Sequence, residues 1–306
     1  MRKLTIDGQV ITDGNPCYVI AELGHNHGGS VTTAQAMIDA AADAGCDAVK
    51  FQCRHNATLY SPALLKAPYE NENSYGKTYG EHRAALELPK SALRDLFAYA
   101  RQFDLTPFAT AFDEPSVDLL MGLQAPALKL ASGSLTDRPL LEYAAHTQGP
   151  IILSTGGGTM DDIDRAVGWI LPINHRLALL HCTASYPPVA AEVNLRVIST
   201  LRERFPDLVI GFSSHSPGIA LSLVAVALGA RIFEHHFTLS RASKGTDHGF
   251  SLEPKGMATL CEDTAKIQMA LGTGVKQYYD SERKPISKMR RRQTPIGWQI
   301  TGALDD

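Results

Sequence analysis

The sequence predicts an α/β protein, a TIM (β/α)8 barrel preceded by an N-terminal β-hairpin. Three observations carry this. Eight short apolar runs are each followed by a segment with helical spacing. The runs are continuous rather than alternating, as strands buried on both faces of a parallel sheet require. Polar residues gather at the C-terminal ends of the runs, where such a barrel keeps its active site. A doubly wound sheet is the competing architecture. The count of eight and the polar strand ends decide for the barrel.

Residues 1–17 read as the hairpin, with Asp7-Gly8 and Asp13-Gly14 as turn pairs. It is expected to plug the bottom of the barrel. The barrel is assigned to residues 18–282, with runs at 18–23, 48–53, 106–112, 127–131, 151–155, 177–182, 209–213 and 231–237. A helix is read at 34–42, with Thr32 and Thr33 as candidate caps. Helical spacing recurs at 93–99, 117–123, 163–170, 195–204 and 220–228. Residues 54–89 form a long polar insertion after the second run. A loop of that length in a compact domain is usually functional. Residues 283–306 begin with basic residues and read as a partly disordered surface tail.

The chain has 306 residues, 44% of them hydrophobic and 20% charged, with net charge −3. A mildly acidic balance favours neither a nucleic-acid nor a membrane partner. The N-terminus lacks the apolar stretch of a signal peptide, and no run is long enough to span a bilayer. Cys17, Cys46, Cys53, Cys182 and Cys261 are scattered, odd in number and without zinc spacing. This suggests a reducing, cytoplasmic location.

The strand ends supply the candidate chemistry. The first run offers Glu22, Asn26 and His27; the second, Lys50 and Gln52; the third, Thr110 and Asp113. The fourth offers Lys129, Ser132 and Ser134, and the fifth Ser154 and Thr155. The sixth offers His181, Thr183, Ser185 and Tyr186. The last two bring Ser213, Ser214, His215, Glu234, His235 and His236. A lysine inside a barrel strand is costly to bury without a partner. Lys50 and Lys129, with hydroxyls nearby, suit a phosphate and a carboxylate. Two other readings stay open: structural salt bridges to Glu22 and Glu234, or the Schiff-base lysine of an aldolase.

His215 and His236 lie 21 positions apart, each closing an apolar run, with one helix between them. Two imidazoles so placed can share one divalent metal, leaving positions for water or a substrate oxygen. Such an open site suits Mn2+, Mg2+ or Co2+ more than structural zinc. A hydrogen-bonded core histidine is the bland alternative. Gly156-Gly157-Gly158 is a weak phosphate-loop pattern and equally a plain strand-to-helix turn. Asp247, in the polar loop after the eighth run, either reaches over the mouth to hold a polyol or turns the chain.

Several strings resemble a known family. They are Ile20-Ala21-Glu22-Leu23-Gly24-His25-Asn26-His27-Gly28-Gly29, Lys50-Phe51-Gln52, and Ser74-Tyr75-Gly76-Lys77-Thr78-Tyr79-Gly80-Glu81-His82. Further on come Leu180-His181-Cys182-Thr183-Ala184-Ser185-Tyr186-Pro187, Gly211 to His215, Glu234 to Thr238, and Asp247-His248 with Ser251-Leu252-Glu253-Pro254. In this order they resemble the sialic acid (N-acetylneuraminate) synthases. The resemblance implies condensation of phosphoenolpyruvate with the open-chain aldehyde of N-acetylmannosamine or its 6-phosphate, giving a 2-keto-3-deoxy sugar acid and phosphate. It implies that His215 and His236 hold Mn2+ or a similar ion, which polarises the aldehyde and orients the attacking water. It places Lys50, Thr110, Lys129, Ser132, Ser154, Tyr186 and Ser213 on phosphoenolpyruvate. Gln52 and Asp247 fall on the sugar, and Glu22 at the reacting centre. The insertion after the second run resembles the animal-type branch, which uses a 6-phosphorylated sugar. A homodimer is expected.

Two positions depart from the family pattern. Ser134 stands where an acidic residue is usual, and serine cannot act as a carboxylate base. His235 stands where a Lys or Arg usually precedes the second histidine. The family's small antifreeze-like C-terminal domain is also missing from the sequence as it ends at Asp306. A separate chain is one source of that domain; an acceptor that does not need it is the other explanation. Two further functions remain in view: a metal-dependent aldolase or lyase that uses pyruvate, and a non-catalytic barrel acting with a partner chain.

Overall fold

Asp7 and Gly8 adopt positive φ, 49° and 80°, which joins β1 (Lys3–Ile6) to β2 (Gln9–Thr12) as an antiparallel hairpin. Positive φ at both central residues is the hairpin turn whose twist matches its strands, and an Asp-Gly pair adopts it readily. The computed structural model describes residues 2–303. Met1 and residues 304–306, the end of the expected tail, lie outside the described residues.

Eight parallel strands close into a barrel: β3 (Tyr18–Glu22), β4 (Ala48–Cys53), β5 (Thr106–Ala111), β6 (Leu128–Leu130), β7 (Ile151–Ser154), β8 (Leu177–Cys182), β9 (Val209–Ser214) and β10 (Ile232–His236). β10 pairs with β3 to complete the ring. The α/β barrel expected from the continuous apolar runs is the observed fold.

Alternation along each strand divides the interior in two. Val19, Val49, Phe51, Leu153, Ile210 and Phe233 pack outward against the helices. Tyr18, Ile20, Phe108, Ile152, Leu180 and Ile232 face inward and form a separate apolar cluster with Leu4, Ile6 and Ile11 of the hairpin. The hairpin therefore plugs the barrel, as expected. Inward positions further along the same strands are polar. The same period of two that fills the bottom with apolar side chains fills the top with charge.

Gly211 shows how tightly the inward layer is packed. A Cβ there would lie 2.4 Å from the Ile232 carbonyl oxygen and 2.4 Å from Leu180 Cδ2. A backbone oxygen cannot swing aside like a side-chain tip. Gly211→Ala is therefore expected to cost about 1–3 kcal/mol of stability. A urea midpoint equal to that of the unsubstituted protein would show that the layer has slack.

Two local readings change. The first helix is Val31–Asp43, and its cap is Ser30, whose side chain accepts from Thr33 N. Thr32 and Thr33 lie inside the first turn. Residues 54–89 are not a bare loop. They hold short helices at Asn56–Leu59 and Pro62–Leu65, then a helix at Tyr79–Leu86 started by a Thr78–Glu81 capping box. No helix among the described residues is long and apolar enough to cross a membrane.

The chain divides into two compact units, Met1–Met269 and Ala270–Asp306. In the second, residues read as a partly disordered tail carry the end of a helix, Asp280–Ser287, and a hairpin of β11 (Arg291–Thr294) and β12 (Gly297–Ile300).

Candidate active site

Every predicted strand residue that reaches the barrel mouth has inward parity. Glu22 follows Tyr18 and Ile20 on β3. Lys50 and Gln52 follow Ala48 on β4, and Ser213 follows Val209 and Gly211 on β9. Register then sets neighbours: Glu22 lies opposite Lys50 on one side and His236 on the other. Thr110 lies opposite both Gln52 and Lys129. All twelve residues proposed for the site line one cavity of about 420 Å3: Glu22, Lys50, Gln52, Thr110, Lys129, Ser132, and then Ser154, Tyr186, Ser213, His215, His236 and Asp247.

The floor is a network of charge. Lys50 Nζ lies 2.6 Å from Glu22 Oε2 and 3.6 Å from Glu234 Oε2, and it donates to Thr110 Oγ1 at 2.6 Å. Gln52 Nε2 donates to Glu22 Oε1 at 2.7 Å. Lys129 Nζ donates to Ser154 Oγ at 2.7 Å and to the Leu130 carbonyl at 3.0 Å, and reaches Glu234 at only 4.0 Å. Ser213 Oγ donates to Glu234 Oε1 at 3.0 Å.

The two lysines thus differ. Burial disfavours the charged form of Lys50, but Glu22 and Glu234 outweigh it and raise its pKa. Lys129 is pushed down by burial, which Glu234 only partly offsets. Glu234 is held at about 2: burial works against its charge, but Lys129 and Lys50 prevail. The ion-pair reading describes Lys50 well and Lys129 poorly. Lys129 is the cation with an incomplete counter-charge.

His215 and His236 stand beside this network, ring centroids 5.3 Å apart. His215 Nδ1 lies 2.9 Å from the Thr183 carbonyl, to which it can only donate, so Nε2 keeps its lone pair. Burial, and next His236, lower the His215 pKa to about 3, so the ring is neutral. Tyr186 covers His215 at 4.1 Å between centroids. His236 Nδ1 is buried without a hydrogen-bond partner and lies 3.6 Å from Asp247 Oδ2.

The insertion clasps the loop that carries Asp247. Tyr75 Oη donates to the Lys244 carbonyl at 2.6 Å, and Asn73 Oδ1 accepts from Gly245 N at 3.1 Å. The insertion also brings Tyr60 and Arg83 to the cavity, next to Arg54 and Phe112. Arg54, just beyond β4, pairs with Glu87 at 2.9 Å and donates to Gln52 Oε1 at 2.6 Å. Arg54 and Arg83 were not singled out in the sequence. Arg54 follows a predicted strand end and could have been. Arg83 has no linear pattern that places it at the mouth.

Other strand-end residues serve structure. Asn26 donates to the Phe237 carbonyl at 2.8 Å, and the His181 ring contacts the Val193 carbonyl at 2.6 Å. His235 has outward parity, with Nε2 3.2 Å from the Gly218 carbonyl. Ser134 is buried in a short 3-10 turn, Ser132–Ser134, and is not among the residues lining the cavity. Gly156 N donates to Ser132 Oγ at 3.0 Å, and Gly157 turns at φ 72°; neither glycine lines the cavity.

The NeuB family profile matches residues 37–276 of this chain. The chain belongs to the NeuB family. It is 38% identical over 299 residues to the mouse (Mus musculus) N-acetylneuraminate-9-phosphate synthase, covering 96% of this chain and 83% of that protein. It is 38% identical over 277 residues to the N,N'-diacetyllegionaminic acid synthase of Campylobacter jejuni, covering 89% and 83%. The crystal structure of a sialic acid synthetase from Leptospira borgpetersenii, in complex with citrate, superposes with a TM-score of 0.79. Sequence identity is 34%, over 93% of this chain and 95% of that one. The NeuB protein described here is an enzyme of the sialic acid synthase type.

Among the described residues, no three His, Cys, Asp or Glu side chains form a group that could hold an ion. Two imidazole nitrogens remain: His215 Nε2, freed by the Thr183 contact, and the unpartnered Nδ1 of buried His236. Two nitrogens beside a cavity fit an open, weakly held site completed by substrate oxygen or water, not a closed structural one.

Proposed function

We propose that this NeuB protein condenses phosphoenolpyruvate with an open-chain N-acetyl sugar aldehyde, forming a 2-keto-3-deoxy sugar acid and inorganic phosphate. The acceptor is N-acetylmannosamine, its 6-phosphate or a related aldehyde. C3 of phosphoenolpyruvate bonds to the aldehyde carbon, water adds at C2, and the bond from C2 to the phosphate oxygen breaks. The observation that carries this is the shared cavity. Two buried lysines with separate hydroxyl partners stand beside two imidazoles, each with a ring nitrogen left without a protein partner.

Each group has a task in this reading. Lys129 and the Ser154 hydroxyl, 2.7 Å apart, take the phosphate, with Ser132 and Ser213 beside them. Lys50 and Thr110 take the carboxylate. Glu22, fixed by Gln52 and Lys50, accepts a proton from the water that adds at C2. Asp247 and the Gln52 amide orient the sugar hydroxyls. A divalent ion held by His215 and His236, Mn2+ first and Mg2+ or Co2+ next, would supply Lewis-acid polarisation of the aldehyde oxygen.

The test is phosphate release with Mn2+, phosphoenolpyruvate and a panel of aldehydes. Release that needs both substrates is expected. No release with any N-acyl hexosamine, its 6-phosphate or a short aldose would sink the proposal. Product from pyruvate, with none from phosphoenolpyruvate, would install the aldolase reading instead.

A further inference from the structure

Four cationic side chains line the cavity: Lys50, Lys129, Arg54 and Arg83. Three have a carboxylate within reach: Lys50 has Glu22 at 2.6 Å, Arg54 has Glu87 at 2.9 Å, and Lys129 has Glu234 at 4.0 Å. Arg83 has no carboxylate oxygen within 4.0 Å among the described residues. What holds it is aromatic. Its Nε donates to Tyr79 Oη at 2.9 Å, and its guanidinium carbon lies 5.0 Å from the Tyr79 ring centroid and 6.0 Å from that of Tyr60. Tyr79 and Arg83 are one turn apart on the capped helix of the insertion, so the pairing is built into the sequence. These contacts fix the plane of the fork. They leave both terminal amino groups without a protein hydrogen-bond partner among the described residues.

Arg54 and His25 line the same rim; the nearby carboxylate, Glu87, is already paired with Arg54 at 2.9 Å and lies 3.6 Å from His25 Nε2. A planar, oriented guanidinium with two free amino groups matches a phosphate bidentately. The floor lysines and hydroxyls are taken by phosphoenolpyruvate, so an anion at Arg83 belongs to the other substrate.

We propose that Arg83 is a specificity residue that binds a phosphomonoester at the end of the acceptor remote from its aldehyde. This rests on the condensation reading of the cavity, and its test is arranged to fail separately from that reading.

Two measurements decide it. In turnover, the ratio of kcat/KM for N-acetylmannosamine 6-phosphate over N-acetylmannosamine is expected to fall about 30-fold or more in Arg83→Ala, through KM of the phosphosugar. Arg83→Lys, which keeps the charge and loses the fork, is expected to fall between. An equal loss on both acceptors, or a rise in KM for phosphoenolpyruvate instead, overturns the inference. In calorimetry, which needs no turnover, the full chain is expected to bind the phosphosugar more tightly than the sugar, and Arg83→Ala to lose that difference. Equal binding of the two sugars by the unsubstituted protein overturns it, even if phosphate is released in the activity assay. Tighter binding of N-acetylmannosaminuronate than of the phosphosugar overturns the phosphomonoester assignment.

Discussion

His215→Ala and His236→Ala are each expected to lower turnover on the order of 1,000-fold while the barrel stays folded. Both rings lie at the mouth, above the apolar layer of Ile152, Leu180 and Ile232, so neither supports the interior that the hairpin closes. His215 loses its contact with the Thr183 carbonyl, a weaker one with Cys182 Sγ at 3.8 Å, and its tilted ring contact with Tyr186. His236 has no hydrogen bond through Nδ1 to lose. The stability change is therefore expected to stay near 1 kcal/mol, the scale of a single hydrogen bond. Activity and unfolding move apart, and measuring both on the same preparations checks this. Each variant should also lose the response of its thermal midpoint to added Mn2+. Retained turnover in both would refute the metal assignment. A collapsed fold in either would instead make these histidines structural.

Much of this site was legible because a parallel barrel obeys a simple period. A strand that starts inward with Tyr18 and Ile20 must turn Glu22 inward, and one that starts with Ala48 must turn Lys50 inward. Strand ends alone therefore pointed to the residues that share the cavity. The same rule separates His236 from His235, adjacent in sequence and on opposite faces of β10. Strand-end position without parity does not separate Glu22 from His181, whose ring meets the Val193 carbonyl, or from Asn26, which lies beyond β3 and donates to the Phe237 carbonyl. Arg83 was invisible for another reason. It reaches the cavity from a helix in an insertion, and no period in the sequence fixes how an insertion folds back. Nor could composition say that Lys50 has two carboxylates and Lys129 a single distant one. That difference comes from strand pairing: Glu22 lies opposite Lys50, whereas Lys129 lies opposite Thr110 and Ile152.

Stability should fall steeply as pH drops from about 6.5 toward 4, because three buried histidines refuse protons that the unfolded chain accepts. Burial lowers His27 and His235 from 6.5 to about 4 and His215 to about 3. Above pH 6.5 they are neutral in both states, and their contribution to stability is fully present. Below it the unfolded chain binds protons at these three rings, and at His25, that the fold refuses, so stability rises with pH throughout this window. It is lost as pH falls toward the folded values. Each pH unit costs up to about 1.4 kcal/mol per histidine, several kcal/mol in all across the window. Glu87 and Asp47, whose carboxyls burial raises, act in the opposite direction. Glu234, held at about 2, adds acid loss only below its ordinary value of 4.5. The onset near 6.5 therefore belongs to imidazole. Urea midpoints at pH 8, 6 and 5 are expected to drop below pH 6.5, with a shallower drop in His235→Asn. A midpoint flat from pH 7.5 to 5 would mean that these rings are charged inside the fold. His215 would then carry a proton where its role needs a lone pair.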